Sequence, residues 1–227
     1  MALSNRRVDR TVRRQRWIKL CSYFVIIHLV LGCAVLGRPW LLGLFALVLV
    51  IGAWELRGAQ LRALANHQNL GWKIWPIYLT LTMGVLFSIW SLPTERIVFL
   101  YLIVAAFDGF SQLMGQAIGH RRLAPELSPG KTVEGLLGGI VGALVVAASF
   151  QSIGNLTVGL ALLTGAAAAF AGLGGDLSAS WVKRRANIKD FSAMIPGHGG
   201  VLDRFDSFIG ASALLGPAFY SCPGPWR

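Results

Sequence analysis

The residues best suited to chemistry are acidic side chains that stand within or beside long apolar segments. The chain has ten acids in 227 residues, and 55% of its residues are hydrophobic. Most of the acids fall in three short stretches: Asp108, Glu134, Asp176, Asp190, Asp203 and Asp206. A central Asp in a bilayer costs about 2.5–3.5 kcal/mol on insertion scales, so an acid retained there indicates a functional site. Alternation of the apolar segments across a membrane places all three stretches on one side.

The third stretch, residues 176–206, offers the most varied chemistry. If its first part forms a helix, Asp176, Ser180 and Lys183 share one face of that helix. Arg184 lies beside this face. A carboxylate, a hydroxyl and an ammonium in one row suit a polyphosphate that is bound together with a metal ion.

A glycine-rich loop and two further acids complete this stretch. Residues 196–200, Pro-Gly-His-Gly-Gly, supply backbone amides that can form an anion nest. Asp203 and Asp206 follow one helical turn apart, with Arg204 between them. Hard oxygen ligands with few His or Cys side chains predict magnesium rather than zinc. The alternative is a basic cytoplasmic loop with solvated ion pairs, which does not need glycines around a histidine between two acid clusters.

The second stretch, residues 128–135, directly precedes a glycine-rich apolar segment. Ser128 or Thr132 can cap a helix there, and the free amide end of such a helix attracts phosphate. The Gly-Lys-Thr triplet at 130–132 resembles the end of a P-loop, but Pro125 takes the place of the required glycine and no strand is predicted before it. We therefore reject a Walker motif. A capped helix start with a snorkelling lysine is the alternative to a phosphate site.

The first stretch begins at Asp108. On a helix, Asp108, Gln112 and Gly115 share one narrow face, which continues to Gly119. This face can let a ligand approach the backbone, and it is equally typical of a Gly-x-x-x-Gly packing seam between helices. The residues alone leave both interpretations open. Glycines of the following apolar segment indicate close helix packing: Gly135, Gly138, Gly139 and Gly142.

Composition and the lengths of the apolar segments predict an integral membrane protein. Only 14% of the residues are charged, whereas a soluble domain carries about 25%. A membrane span needs about 20 mostly apolar residues. The candidates are Trp17–Leu36, Trp40–Trp54, Ile74–Leu92, Ile97–Ile118, Val133–Phe150, Leu156–Gly175 and Phe208–Cys222. The fold class is therefore an all-α integral membrane protein, a polytopic bundle of about seven transmembrane helices.

The distribution of basic residues predicts the orientation. The net charge is +11, and a cluster of arginines precedes the first span. If that end is cytoplasmic, alternation leaves only Arg38, Arg96 and Arg227 on the outer side, as the positive-inside rule requires. The basic charge is thus topological, and the pattern argues against binding of nucleic acid. The basic inner face favours a bacterial inner (plasma) membrane, with the N-terminus and a polar active site facing the cytoplasm.

Three motifs resemble those of the phosphatidate cytidylyltransferase (CDP-diacylglycerol synthase) family. The longest resembles the signature of the family: Ser180-x-x-Lys183-Arg184, then Lys189-Asp190, then Pro196-x-His198-Gly199-Gly200-x-x-Asp203-Arg204-x-Asp206. The segment Ser128-Pro129-x-Lys131-Thr132-x-Glu134-Gly135 is similar to the second motif, and the Asp108 segment to the third. The resemblance covers roughly the C-terminal half of the chain. It departs from the family pattern where Ser111-Gln112 replaces Ala-Tyr and Gly130-Lys131 replaces Lys-Lys.

The resemblance implies Mg²⁺-dependent transfer of CMP from CTP to phosphatidate, which gives CDP-diacylglycerol and pyrophosphate. The attacking phosphate monoester is already anionic, so this reaction needs charge cancellation and positioning rather than a general base. The implied metal ligands are Asp176 and Asp203, with room for a second cation. The other implied catalytic residues are Lys183, Arg184, His198 and Arg204. The implied substrate-binding residues are Asp108, Gln112, Ser128, Lys131, Glu134, Ser180, Lys189, Asp190, Gly199, Gly200 and Asp206.

Charge and hydropathy in the N-terminal part, and the resemblance in the C-terminal part, give the expected organisation of the chain. We expect a basic cytoplasmic tail at residues 1–16, N-terminal transmembrane helices at 17–92, and a catalytic membrane region at 93–227. CTP, phosphatidate and the lipid bilayer are the expected partners, and the family is often homodimeric.

Other functions use related residues. A CTP-dependent lipid kinase would transfer the γ-phosphate, and a transporter would place acids in paired repeats near the bilayer midplane. A lipid-binding scaffold without turnover is a further alternative. A CDP-alcohol phosphotransferase would need a tightly spaced acid motif that does not follow Asp108-Gly109.

Overall fold

The computed structural model describes residues 10–68, 70–196 and 199–221. In chain order its elements are α1 (Arg10–Leu36), α2 (Arg38–Ala65), α3 (Ile74–Ser91), α4 (Thr94–Ile118), β1 (Arg122–Ala124), β2 (Ser128–Thr132), α5 (Val133–Ser149), α6 (Gln151–Gly154), α7 (Val158–Arg185) and α8 (Leu202–Ser221). Of the predicted tail at 1–16, residues 1–9 lie outside the described residues. The predicted last span also ends outside them, at Cys222.

Each predicted span corresponds to one long helix: α1 to α5, α7 and α8. Of the described helices, α2, α3, α4 and α7 are long and apolar enough to cross a membrane. Shorter apolar helical stretches cover Cys21–Leu36 and Val133–Ser149. The chain is therefore a helical membrane protein, and the number of seven spans stays a prediction.

A small hairpin corrects the all-α prediction. Strands β1 and β2 pair antiparallel, with Arg122 opposite Thr132 and Ala124 opposite Ser128. The prediction that no strand precedes the Gly-Lys-Thr triplet was wrong, because β1 and the first residues of β2 come before it and the triplet forms the end of β2. The chain remains extended through the triplet and enters α5 directly, so the triplet does not wrap around a phosphate as a P-loop does.

Thr132 caps the start of α5. Its Oγ1 accepts a hydrogen bond from the amide of Gly135 at 3.0 Å, which satisfies one of the unpaired N–H groups at the helix start. Of the two residues predicted to cap this helix, Thr132 does so, while Ser128 lies in β2.

Helices α4 and α5 pack closely through the predicted glycine seam. A Cβ on Gly139 would lie 2.8 Å from the carbonyl of Phe107, and one on Gly135 would lie 2.7 Å from the carbonyl of Ser111. On the facing helix, a Cβ on Gly115 would lie 3.2 Å from Thr132 Oγ1. Small residues let backbones approach in a membrane, where no hydrophobic force drives helices together. The prediction of close packing is confirmed.

A second close crossing brings α7 and α8 together beside the polar end. A Cβ on Gly210 would lie 2.9 Å from the Cα of Gly175 and 2.8 Å from the carbonyl of Ala171. Because these neighbours are backbone atoms, they cannot move aside as a flexible side chain can. This crossing determines how the last turns of α7 face the first turn of α8.

The opposite end of the bundle carries two arginines that bind loop carbonyls. Arg38 Nη2 donates to the carbonyl of Leu92 at 3.1 Å, and Arg96 Nε donates to that of Gly154 at 3.3 Å. Both arginines were predicted for the outer side. Their contacts join α2 to the end of α3, and α4 to α6, at the end away from the three acid stretches.

Substituting Gly210 tests the α7–α8 crossing. We expect Gly210→Ala to lower the free energy of unfolding by about 1–3 kcal/mol, because an added methyl group overpacks against backbone atoms. Urea unfolding of the detergent-purified protein measures this change. The matched control is Gly174→Ala in α7, where a Cβ meets nothing within 4 Å. The control should stabilise by about 0.5–1 kcal/mol through reduced chain entropy. Equal effects in both variants would contradict the assignment.

Candidate active site

A buried ion pair between α7 and α8 forms the centre of the candidate site. Lys183 Nζ lies 2.6 Å from Asp203 Oδ1, and both residues are less than 9% exposed. The Lys183 ammonium also lies 5.4 Å from the centroid of the Phe191 ring, within range of a cation–π contact. Helix α7 continues as predicted through residues 176–185, so Asp176, Ser180 and Lys183 do share one face.

The second oxygen of Asp203 holds the glycine-rich loop. Asp203 Oδ2 accepts hydrogen bonds from the amide of Phe191 at 2.9 Å and from that of Gly200 at 2.8 Å. The Gly200 amide was predicted to contribute to an anion nest, and it instead binds this carboxylate of the protein. Gly199 has φ +82°, a left-handed conformation that favours glycine, and a Cβ there would meet Asp203 Oδ2 at 2.9 Å.

A second ion pair lies between β2 and α7. Lys131 Nζ contacts Asp176 Oδ2, and both side chains are about three-quarters buried. Burial lowers the pKa of Lys131, while the carboxylates of Asp108 and Asp206 act in the opposite direction. Lys131 thus points into the site rather than snorkelling towards solvent. This contact brings the second predicted stretch against the third.

Asp108 and Asp206 meet around Ser207. The Ser207 hydroxyl donates to Asp108 Oδ1 at 3.2 Å, and the Ser207 amide donates to Asp206 Oδ1 at 2.7 Å. The Arg204 guanidinium lies close enough to interact electrostatically with both acids. Its Nε is buried and lacks a hydrogen-bond partner among the described residues. An unsatisfied charged donor of this kind suits an anionic ligand.

Two other predicted site residues hold the hairpin in place. Arg184 Nε donates to the carbonyl of Leu127 at 3.0 Å, at the turn between the two strands. Glu134 Oε2 accepts hydrogen bonds from the amide of His120 at 3.0 Å and from that of Arg121 at 3.2 Å. These contacts fasten both sides of the hairpin, which carries Lys131 into the site.

The remaining predicted residues lie around this centre. Ser180 is buried on α7, one turn before Lys183. Gln112, Lys189 and Asp190 are exposed. Ser128 pairs with Ala124 in the hairpin. His198 lies outside the described residues.

Sequence reasoning missed Glu55, an acid of α2 that is only 2% exposed. Its carboxylate binds the residues that flank the glycine-rich loop. The available signal was an acid directly after the predicted apolar span Trp40–Trp54, in a stretch that continues the same helix. None of the three motifs includes Glu55, so the motifs did not point to it.

The donor set of the site fits magnesium chemically, with Asp176 the more accessible ligand. The Asp203 oxygens accept hydrogen bonds from Lys183 and from two amides, which occupy three of their about four lone-pair positions. Asp176 engages Lys131 through one oxygen. Among the described residues, no three His, Cys, Asp or Glu side chains converge on a metal position. Since Mg²⁺ is commonly held by one or two carboxylates plus substrate phosphates, these acids suit a cation that arrives with a nucleotide.

Comparison with known proteins points to one family. The chain is 43% identical over 122 residues to the phosphatidate cytidylyltransferase of Haemophilus influenzae, a match that covers 51% of this chain and 42% of that protein. It is 45% identical over 111 residues to the Bacillus subtilis protein of the same name, covering 48% of this chain and 41% of that one. For Pseudomonas aeruginosa the identity is 39% over 146 residues, with 61% and 54% covered.

The chain therefore spans about half the length of the curated relatives it matches. The model of the cytidylyltransferase family matches residues 90–221. That range contains both ion pairs, the hairpin and the glycine-rich loop, and it leaves out α1, α2 and most of α3. The chain belongs to the cytidylyltransferase family.

Proposed function

We propose that the chain transfers CMP from CTP to phosphatidate, releasing pyrophosphate and forming CDP-diacylglycerol in phospholipid biosynthesis. The observation that carries this proposal is the set of alternating charges at one end of an apolar helical bundle. Lys131, Lys183 and Arg204 stand among four acids, and Arg204 retains a buried, unsatisfied donor. Relatives that are 43% and 45% identical to about half of this chain are named phosphatidate cytidylyltransferases.

The chemistry of the residues suits this reaction. A phosphatidate monoester is already a nucleophile, so the site must neutralise the triphosphate and align the two phosphates. Lys131 and Arg204 would bind phosphate oxygens, while Lys183 keeps Asp203 in place. A magnesium ion, when bound at Asp176 and Asp203, supplies charge neutralisation for the leaving pyrophosphate. The Lys131 ammonium, which forms an ion pair with Asp176 in this structure, would then move to the substrate.

The location of the site suits a lipid substrate. The site lies at the end of the helices where the basic loops cluster, which we assign to the cytoplasmic face by the positive-inside rule. Seven crossings by α1 to α5, α7 and α8 would give this orientation in a bacterial inner membrane. Phosphatidate would enter from the bilayer and CTP from the cytoplasm. We keep a homodimer and a second cation as parts of this proposal, and we expect no binding of nucleic acid.

Isotope labelling tests the reaction type. With CTP, Mg²⁺ and phosphatidate, the detergent-purified protein should release pyrophosphate and place the α-phosphate label of CTP in the lipid. Omission of Mg²⁺ or its removal with EDTA should abolish turnover, because the triphosphate charge is then not neutralised. Transfer of the γ-phosphate label would instead identify a lipid kinase. Binding of CTP without any transfer would redirect the search to another lipid acceptor.

Asp176→Asn tests the proposed metal ligand. We expect kcat/KM to fall by at least about 100-fold, since an amide neither attracts the cation nor balances Lys131. Asp176 is preferable to Asp203 for this test, because Asn at 203 would also weaken the loop. The matched control is Glu95→Gln, the same change at an exposed acid on the opposite end. The elution volume in size-exclusion chromatography checks folding. A folded Asp176→Asn variant with near-normal turnover would refute the role.

A further inference from the structure

Glu55 is a buried acid that joins the N-terminal helices to the site. It lies in α2, outside residues 90–221 that match the family model, and it is 2% exposed. Its Oε1 accepts hydrogen bonds from the Ser192 hydroxyl at 2.5 Å and from the Val201 amide at 3.0 Å. Its Oε2 accepts one from the Leu202 amide at 2.7 Å. Both oxygens are thus used by the protein, which leaves this side chain to act through its neighbours.

These contacts hold together the two chain segments that flank the glycine-rich loop. Asp203 binds the amides of Phe191 and Gly200, and Glu55 binds the adjacent Ser192 and Val201. Two carboxylates from different helices therefore hold the two ends of the loop beside each other. Arg62 of α2 adds a third contact, because its Nη1 donates to the carbonyl of Phe191 at 3.3 Å.

Glu55 also caps α8. The first N–H groups of a helix have no partner inside the helix, and a negative charge near them is favourable. Leu202 begins α8, and its amide donates to Glu55 rather than to a residue of its own loop. Asp203 and Asp206 stand in the first two turns of α8, so the cap holds the part of the helix that carries these acids.

The close approach of Glu55 explains a glycine that the motif alone does not explain. A Cβ on Gly200 would lie 2.5 Å from Glu55 Oε1, with no backbone reason for glycine in its φ angle. A side chain at 200 would push the carboxylate away from the amides of Val201 and Leu202. Gly200 is therefore matched to an acid on α2, 145 positions earlier in the chain.

We propose that Glu55 is a positioning residue, which holds the glycine-rich loop and the start of α8 in the geometry that CTP requires. This inference rests on the proposed function for the identity of the nucleotide. It gives α2 a role in the site, although the family model does not extend to that helix.

Glu55→Gln tests the proposal because an amide keeps the size and removes one acceptor oxygen. A buried N–H then loses its partner, and we expect the KM for CTP to rise about tenfold. The KM for phosphatidate should change less than about twofold, because the variant leaves Asp108, Lys131 and Asp176 untouched. Hydrogen–deuterium exchange should become faster in residues 191–202 of the variant, with or without turnover.

Tyr78→Phe is the matched control. The Tyr78 hydroxyl donates to the carbonyl of Leu49 in α2 at 2.5 Å, so this variant also removes a buried hydrogen bond of α2. The Tyr78 hydroxyl makes no hydrogen bond to the described residues of 191–202, and we expect an unchanged KM for CTP and unchanged exchange in 191–202. A merely structural role of Glu55 predicts the same behaviour in both variants at equal loss of melting temperature.

Ser192→Ala covers the case in which Glu55→Gln does not fold. It removes the Ser192 hydroxyl, which donates to Glu55 and also accepts a hydrogen bond from the Met194 amide. The readout is therefore exchange at the amides of Val201 and Leu202, which Glu55 holds, and it should become faster while CTP binding weakens. Wild-type exchange and CTP binding in the folded variants would overturn the inference. If the wild-type protein does not turn over, the proposed function fails. The exchange comparison then still decides whether Glu55 holds the loop.

Discussion

The buried pair of Lys183 and Asp203 is the interaction on which the rest of the site depends. Lys183 ends the polar face of α7, and Asp203 lies in the first turn of α8, where it accepts hydrogen bonds from two amides of the segment that joins the two helices. Breaking a buried ion pair commonly costs about 3–5 kcal/mol, because the remaining charge stays unpaired. Each partner therefore requires the other, and the pair keeps Asp203 where it accepts the hydrogen bonds of Phe191 and Gly200.

The packing of the apolar helices brings these charges together at one end of the bundle. Glycines between α4 and α5 and between α7 and α8 let the helices approach at backbone distance. That approach places Asp108 of α4 beside Ser207 of α8, and Asp176 of α7 beside Lys131. Charges that would be costly singly then lie near opposite charges on other elements. Arg204 is among them, but its buried Nε has no hydrogen-bond partner in the described part of the chain, so this group has most to gain from an anionic ligand.

The hairpin and the glycine-rich loop show two ways in which backbone outside the helices serves the site. The hairpin carries Lys131 inward and is held by Arg184 and Glu134, so these motif residues support the site from its edge. In the glycine-rich loop, an amide donates to Asp203 and is therefore not available to a ligand. Some residues of the motifs therefore face the site, and others hold the backbone that surrounds it.

The sequence by itself determined the helical membrane class, the positions of the long helices, the shared face of α7 and the glycine seam of α4 and α5. These features follow from periodicity and composition, which are local properties of the chain. Tertiary structure alone decided which charges pair, that residues 128–132 form a strand, and that Glu55 reaches Ser192, 137 positions away. The order of residues does not contain such contacts, because they depend on how rigid helices cross. A carboxylate in an apolar span shows that a partner must exist, and only the packed bundle shows which one it is.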